Sequence, residues 1–363
     1  MAATLISRLG LRYSALETRG TLDHGRKAMN GTRALATQNF HVPVVNFGKF
    51  WNGSPQDRLA VSNEVVRAFK EVGFLYIKNH NIDQNIIART FYESDEFFKL
   101  PQEVKDRLAW EDPRANRGYV KQGRERVTQS NDPDEIAELR RTAPDIKESM
   151  EIGNDSDPVW RNHWPSPIEA PKFTPTMLEF YDICHELHMD VLRAIALGLG
   201  FEENYFDPLA DGKYHTMRLL NYPPVARELL AAEGQARAGA HSDYGSLTFV
   251  FQDEVGGLEV QNPHTENYIP ATPIPGTIVV NVGDLLARWS NDLFRSTLHR
   301  VVSPTGTDST GALTPKRQSI AYFCNPNADT IVECLPGCEG DGPKYPAVRT
   351  EDYIVGRLDA TYN

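Results

Sequence analysis

From Lys213 onward the chain is cut into short runs that read as β-strands, and this constrains the fold more than any other feature. His215–Tyr222, Ser246–Gln252, Gly257–Gln261, Thr277–Val282, Leu298–Val302 and Arg317–Cys324 are rich in β-branched, aromatic and aliphatic residues. Each is bounded by Gly, Pro, Asn or Asp, the residues that punctuate strands. Gly256-Gly257 marks a bulge or tight turn between two of them. Many short strands at this spacing predict a two-sheet jelly roll whose mouth holds a ligand.

The first half is different. A short apolar strand is expected over His41–Phe47 and a second over Gly73–His80. Helical spacing runs through Val65, Val66, Phe69 and Val72, giving a helix over Ser62–Val72. Asp83 is placed to cap a helix over Gln84–Leu100 that Pro101 closes. Lys147–Ile152 alternates as a strand should, and a long helix capped by Thr174 should run to about Leu199. The fold class is therefore α+β, mainly β, with helices from the N-terminal half packed outside a jelly-roll core. Residues 41–212 are expected to form the helical and strand front of the fold, and 213–363 its core.

Residues 1–40 stand apart. They carry Arg8, Arg12, Arg19, Arg26, Lys27 and Arg33 against Glu17 and Asp23. An acid-poor start bearing Arg and Ser is the composition of a mitochondrial presequence, and equally that of a disordered tail. The reading adopted is a tail on a cytoplasmic protein, with mitochondrial targeting as the alternative. The net charge of −11 argues against a nucleic-acid surface and against anionic membranes. No apolar run reaches the length of a membrane span. A small-molecule substrate is the expected partner.

The chemistry concentrates in Gly239-Ala240-His241-Ser242-Asp243-Tyr244-Gly245. In a strand, the i, i+2 spacing of His241 and Asp243 puts both side chains on one face. With His299 they make a two-His, one-carboxylate set, which holds non-haem Fe(II) and leaves positions open. Arg317 and Ser319 repeat the spacing and aim a guanidinium and a hydroxyl at one face, a pairing that suits a carboxylate. Other groups carry less. His80 reads as a polar strand end, and Asn116–Tyr119 as a loop that either overhangs the site or does not. His185 and His188 share a helix face, but the sequence places no third ligand for them. Cys334 and Cys338 read as two thiols around a turn.

The ordered set His241-x-Asp243, His299 and Arg317-x-Ser319 resembles the isopenicillin N synthase-like branch of Fe(II), 2-oxoglutarate-dependent dioxygenases. Tyr222-Pro223-Pro224, Gly256–Val260 and Asn281-Val282-Gly283-Asp284 extend the likeness from about His41 to Tyr362. Ala115–Tyr119, Ala143–Ser149, Leu285–Asp292 and Ala321–Asn327 are most similar to the thymine 7-hydroxylase group.

The resemblance implies a distorted double-stranded β-helix, a cupin-like jelly roll. Fe(II) would sit on His241, Asp243 and His299, and Arg317, Ser319 and Tyr222 would hold the far carboxylate of 2-oxoglutarate. O₂ is the second cosubstrate and ascorbate the accessory reductant. Many plant relatives have an Asn two residues before that Tyr; here Leu220 stands there, which leaves the near carboxylate without that contact. Arg218, Tyr244 and Phe323 match positions that line a pyrimidine pocket. The expected reaction oxidises a small-molecule C–H bond, by hydroxylation or otherwise, and releases succinate and CO₂. Two alternatives stay open: an Fe(II) oxidase of the same fold without 2-oxoglutarate, and a non-catalytic jelly-roll binding module.

Overall fold

Ser54-Pro55-Gln56-Asp57 shows how this chain starts a helix. Ser54 accepts from the Asp57 backbone N–H at 3.2 Å and Asp57 Oδ2 accepts in return from the Ser54 N–H, a reciprocal capping box. The helix therefore runs over Pro55–Glu71, earlier than the apolar spacing alone places it. The computed structural model describes residues 40–124, 145–231, 236–303 and 312–362. The expected basic leader, apart from Phe40, and residues 125–144 of the polar excursion lie outside the described residues.

In chain order the strands are β1 (Val44–Asn46), β2 (Phe74–Lys78), β3 (Gly118–Val120), β4 (Glu148–Gly153), β5 (Thr216–Tyr222), β6 (Ala238–His241), β7 (Leu247–Gln252), β8 (Leu258–Gln261), β9 (Tyr268–Pro270), β10 (Thr277–Val282), β11 (His299–Val301), β12 (Arg317–Cys324), β13 (Ile331–Val332) and β14 (Val348–Arg349). The helices are α1 (Gly48–Asn52), α2 (Pro55–Glu71), α3 (Gln84–Phe98), α4 (Gln102–Asp106), α5 (Phe173–Leu199), α6 (Asp207–Ala210), α7 (Arg227–Ala231), α8 (Asp284–Trp289) and α9 (Thr350–Tyr362). The six strands expected after Lys213 are present within a residue or so of their limits. Helix α5 starts after Lys172 with no side-chain cap, so the expected Thr174 cap is not used. Strand β6 and helix α9 have too little apolar pattern to be read from sequence, and both matter below.

An eight-stranded sheet has the order β1-β2-β10-β7-β12-β5-β4-β3, and a four-stranded sheet the order β6-β11-β8-β9. The ladders between these strands are antiparallel except β1 with β2. From β5 to β12 the chain passes repeatedly between the sheets: β5, β7, β10 and β12 belong to the large one, and β6, β8 and β11 to the small one.

Period-two alternation along β12 decides what each face does. Ile320, Tyr322 and Cys324 are fully buried. On that side α5 packs against β12, with Tyr181 edge-on to Tyr322 at 5.2 Å, and reaches β7, with Phe180 edge-on to Phe251 at 4.9 Å. Each such buried side chain contributes about 1.5–3 kcal/mol through lost apolar hydration. Arg317, Ser319, Ala321 and Phe323 point the other way and line a cavity with Leu258, His299 and Val301 of the small sheet. The helical back thus holds the large sheet, leaving its front face for chemistry.

Candidate active site

Two adjacent strands of the small sheet bring the first three groups together. His299 on β11 is the direct antiparallel partner of His241 on β6, and their ring centres lie 4.4 Å apart. Asp243 lies just beyond the end of β6, not within a strand as the i, i+2 argument supposed. The turn brings it back regardless. Its Oδ1 is 3.8 Å from His241 Nε2 and 3.7 Å from His299 Nε2. The turn is possible because the backbone packs tightly at Gly245, where a Cβ would meet Asn325 Oδ1 at 2.3 Å and the Cys324 carbonyl oxygen at 2.4 Å.

The hydrogen bonds prepare this set for a metal. His241 Nδ1 is 2.7 Å from the Gly239 carbonyl oxygen and His299 Nδ1 is 3.3 Å from that of Thr297. A ring whose Nδ1–H donates to a carbonyl keeps its Nε2 lone pair, and both Nε2 atoms face Asp243. Asn281, fully buried on β10, donates to Asp243 Oδ2 at 2.7 Å and orients the carboxylate. Burial pushes the His241 imidazole well below its ordinary value, and His299 beside it adds to this. Burial works to raise the Asp243 carboxyl, but His299, His241 and Asn281 outweigh it and hold it low. Two imidazoles and one carboxylate whose ligand atoms lie within 4.8 Å of one another are the donor set a divalent iron takes.

Deeper in the same cavity, Arg317 is the cross-strand partner of Tyr222, and its guanidinium carbon lies 4.8 Å from the tyrosine ring centre. Arg317 Nη1 donates to Ser319 Oγ at 3.0 Å and Nε to the Gly256 carbonyl oxygen at 2.7 Å. Gly256 and Gly257, with φ of 78° and 94°, form the tight turn expected there. Arg317 is 1% exposed, and among the described residues it makes no ion pair. A buried fork with no direct ion pair, and with only the Coulombic influence of Asp253 nearby, is a site for an anion. Leu220 and Lys147 line the same cavity.

A second cavity is lined by Arg218, Tyr244 and Phe323 together with His241 and Asp243. Arg218 lies 5.2 Å from the Phe323 ring centre. It is also paired: its Nε is 2.8 Å from Glu151 Oε1, from the neighbouring strand β4. Nothing in the sequence pointed to Glu151 as its partner. Sequence reasoning also missed Asn325 and the C-terminal helix α9, whose Ile354, Leu358 and Thr361 wall the cavity. Tyr244 Oη and Thr361 Oγ1 are 2.8 Å apart. The only available signal was the Asn116–Tyr119 loop, whose Asn116 does reach the site.

His185 and His188 have a third histidine after all. His215 joins them, and the three offer ring nitrogens within 4.8 Å of one another. The hydrogen bonds exclude His215 as a ligand through Nε2. Its Nδ1 accepts from the Asn325 backbone N–H at 3.0 Å, so its proton sits on Nε2, which faces His185 Nδ1 at 3.0 Å. Burial pushes His188 down to about 3 and His215 well below the ordinary value. This is a neutral, hydrogen-bonded cluster behind the large sheet. His80 lies buried two residues beyond β2, which stops at Lys78 rather than reaching His80 as expected, and its Nδ1 accepts from the Ile82 N–H at 3.2 Å.

Comparison with known proteins agrees with this geometry. Residues 42–167 match the family described as non-haem dioxygenase in morphine synthesis N-terminal, and residues 214–326 the 2OG-Fe(II) oxygenase superfamily. A 2-oxoglutarate-Fe(II) type oxidoreductase of Metarhizium rileyi is 36% identical over 332 residues, 90% of this chain and 93% of the relative. A proline hydroxylase of Petromyces alliaceus is 35% identical over 88% of this chain and 99% of its own length. The structure of full-length Neurospora crassa thymine 7-hydroxylase in complex with alpha-KG and thymine matches with a TM-score of 0.81. It is 46% identical, covering 88% of this chain and 97% of that one. With both halves of the chain matched in order and the donor set in place, the protein is a member of the 2OG-Fe(II) oxygenase superfamily.

Proposed function

We propose that this dioxygenase hydroxylates a small flat ring compound, with thymine the first candidate, at the expense of 2-oxoglutarate. The observation that carries the substrate reading is the shared cavity: Arg218, Tyr244 and Phe323 line the space that His241 and Asp243 face. Phe323 and Tyr244 offer aromatic surfaces to a ring, and Arg218 offers N–H donors to a ring carbonyl. The 46% identical Neurospora protein holds thymine in its crystal structure, which supports the assignment. The passage of strands between two sheets supports a double-stranded β-helix as the finer description of the core.

His241, Asp243 and His299 would hold Fe(II), leaving positions for the oxoacid and O₂. Bound there, the iron supplies C–H oxidation coupled to decarboxylation of the oxoacid to succinate. The chain's own part is positioning. Arg317, with Ser319 and Tyr222 beside it, fixes the far carboxylate of 2-oxoglutarate and so sets where its other end lies. Asn281 keeps Asp243 turned toward the metal. Helix α9 closes one wall of the substrate cavity and limits water there.

The test is a screen of small ring compounds, thymine first, following succinate released per substrate oxidised. One succinate per hydroxylated thymine is expected. Substrate oxidation with no 2-oxoglutarate consumed would move the protein to the oxidase alternative. Thymine left unchanged while other compounds drive succinate release would keep the reaction class and discard the substrate.

A further inference from the structure

We propose that the buried pair Glu151–Arg218 makes the substrate cavity select an uncharged, carbonyl-bearing flat ring over a carboxylate, with Glu151 as the residue that sets the preference. This rests on the reading of the cavity as the seat of a flat ring. Arg218 by itself would be an anion trap, because a planar guanidinium matches a carboxylate in shape and charge.

Glu151 changes that. It faces Arg218 directly across the β4–β5 ladder, with Oε1 and Oε2 at 2.8 and 2.9 Å from Arg218 Nε. The Glu151 side chain is 0% exposed and that of Arg218 11%. Ser149 Oγ donates to Glu151 Oε1 at 2.8 Å and holds the carboxylate in place. In so dry a setting the two charges largely cancel as seen from the cavity, while the guanidinium keeps its N–H dipoles. An incoming carboxylate would lose its hydration and meet a neutral pair with a second carboxylate behind it. A ring carbonyl loses little hydration and finds the same donors.

The surroundings agree. Apart from Arg218 and the metal-facing set, the polar groups on this lining are uncharged, Asn116, Thr216, Ser242 and Asn325 among them. Two other cations lie close by: Arg117 lies against Gly153 and lines an adjoining cavity, its Nη1 donating to the carbonyl oxygens of Ala115 and Asn116 at 2.7 and 3.1 Å, and the Arg357 guanidinium lies 4.8 Å from the ring centre of Tyr244, on the side of helix α9. Arg317 provides the contrast: without a carboxylate partner among the described residues, it is the arginine fitted to an anion.

The experiment uses benzamide and benzoate, an isosteric neutral and anionic pair, titrated calorimetrically into the full-length protein loaded anaerobically with Fe(II) and 2-oxoglutarate. The wild type should prefer benzamide. Glu151→Gln uncovers the Arg218 charge and should shift the preference toward benzoate by about tenfold or more. Glu151→Asp keeps the charge and should keep the wild-type preference, which a purely structural role would not distinguish from Gln. An unchanged ratio in Glu151→Gln, or a wild type preferring benzoate, overturns the proposal. Should Glu151→Gln lose 2-oxoglutarate binding and thus its fold, Glu151→Gln/Arg218→Gln replaces it, since it leaves no lone buried charge. This double variant should match the wild-type ratio; a benzoate affinity about tenfold below wild type would show that Glu151 leaves the Arg218 charge unmasked, and would overturn the proposal. Benzamide binding with thymine inert discards only the thymine assignment, and binding of neither probe to the wild type discards both readings.

Discussion

His299 stands opposite His241 in the β6–β11 ladder, so two residues far apart in the chain are placed by one pairing register. A slip of one residue would turn either ring to the other face of the sheet. The metal set thus belongs to the small sheet, while Tyr222, Arg317 and Ser319, the proposed cosubstrate clamp, belong to β5 and β12 of the large one.

His241→Ala, Asp243→Ala and His299→Ala should each abolish succinate release while leaving the fold near intact. Circular dichroism and iron content check the two halves of this statement. Full activity with iron still bound in any one variant removes that residue from the set.

Asn281 touches the metal set only through Asp243, by a 2.7 Å hydrogen bond. Asn281→Ala should lower Fe(II) affinity by about 10- to 100-fold, the usual cost of losing a partner that orients a ligand. Anaerobic iron titration measures it. Unchanged affinity would mean the Asp243 carboxylate is oriented without Asn281, by the turn and by Thr248.

Arg317→Lys keeps a charge and loses the planar fork. Losing a charge-assisted, bidentate contact is worth about 1.5–3 kcal/mol, so KM for 2-oxoglutarate should rise roughly 10- to 150-fold. A KM for 2-oxoglutarate that stays put while that of the primary substrate rises would favour the oxidase alternative.

Phe323→Ala removes one aromatic wall. Base–aromatic stacking is worth roughly 1–3 kcal/mol at nucleic-acid sites, so substrate affinity should fall about five- to 150-fold. Affinity for 2-oxoglutarate should survive, because Arg317 and Ser319 lie further along the same strand. Equal losses for both ligands would place Phe323 in the core instead.

The histidine cluster makes stability depend on pH. His188 is pushed by burial from 6.5 to about 3, and His215 is also pushed down. The unfolded chain therefore binds these protons first, and stability is lost as pH falls below about 6.5. Each such group should contribute a slope of about 1.4 kcal/mol per pH unit until its folded-state value is reached. Urea unfolding at pH 7.5, 6.5 and 5.5 measures this, and His188→Phe should flatten the dependence. A His188→Phe variant with the wild-type slope would show that His188 does not carry it.

The sequence by itself determined the local chemistry of this protein. The limits of β5, β7, β8, β10, β11 and β12 followed from turn residues and alternation, and Arg317 and Ser319 were assigned to one face because strand periodicity is a property of the backbone. The metal-site residues were legible from residue type, though Asp243 arrives by a turn rather than by strand geometry. Only the tertiary structure decided which groups share a volume. Glu151 reaches Arg218 through a ladder between distant segments, Asn281 reaches Asp243 from another sheet, and His215 joins two helical histidines. Helix α9 becomes a wall of the cavity although its own sequence has little apolar pattern. Such partnerships are set by sheet order and packing, which depend on the free energy of the whole fold and leave no period in the residues that take part.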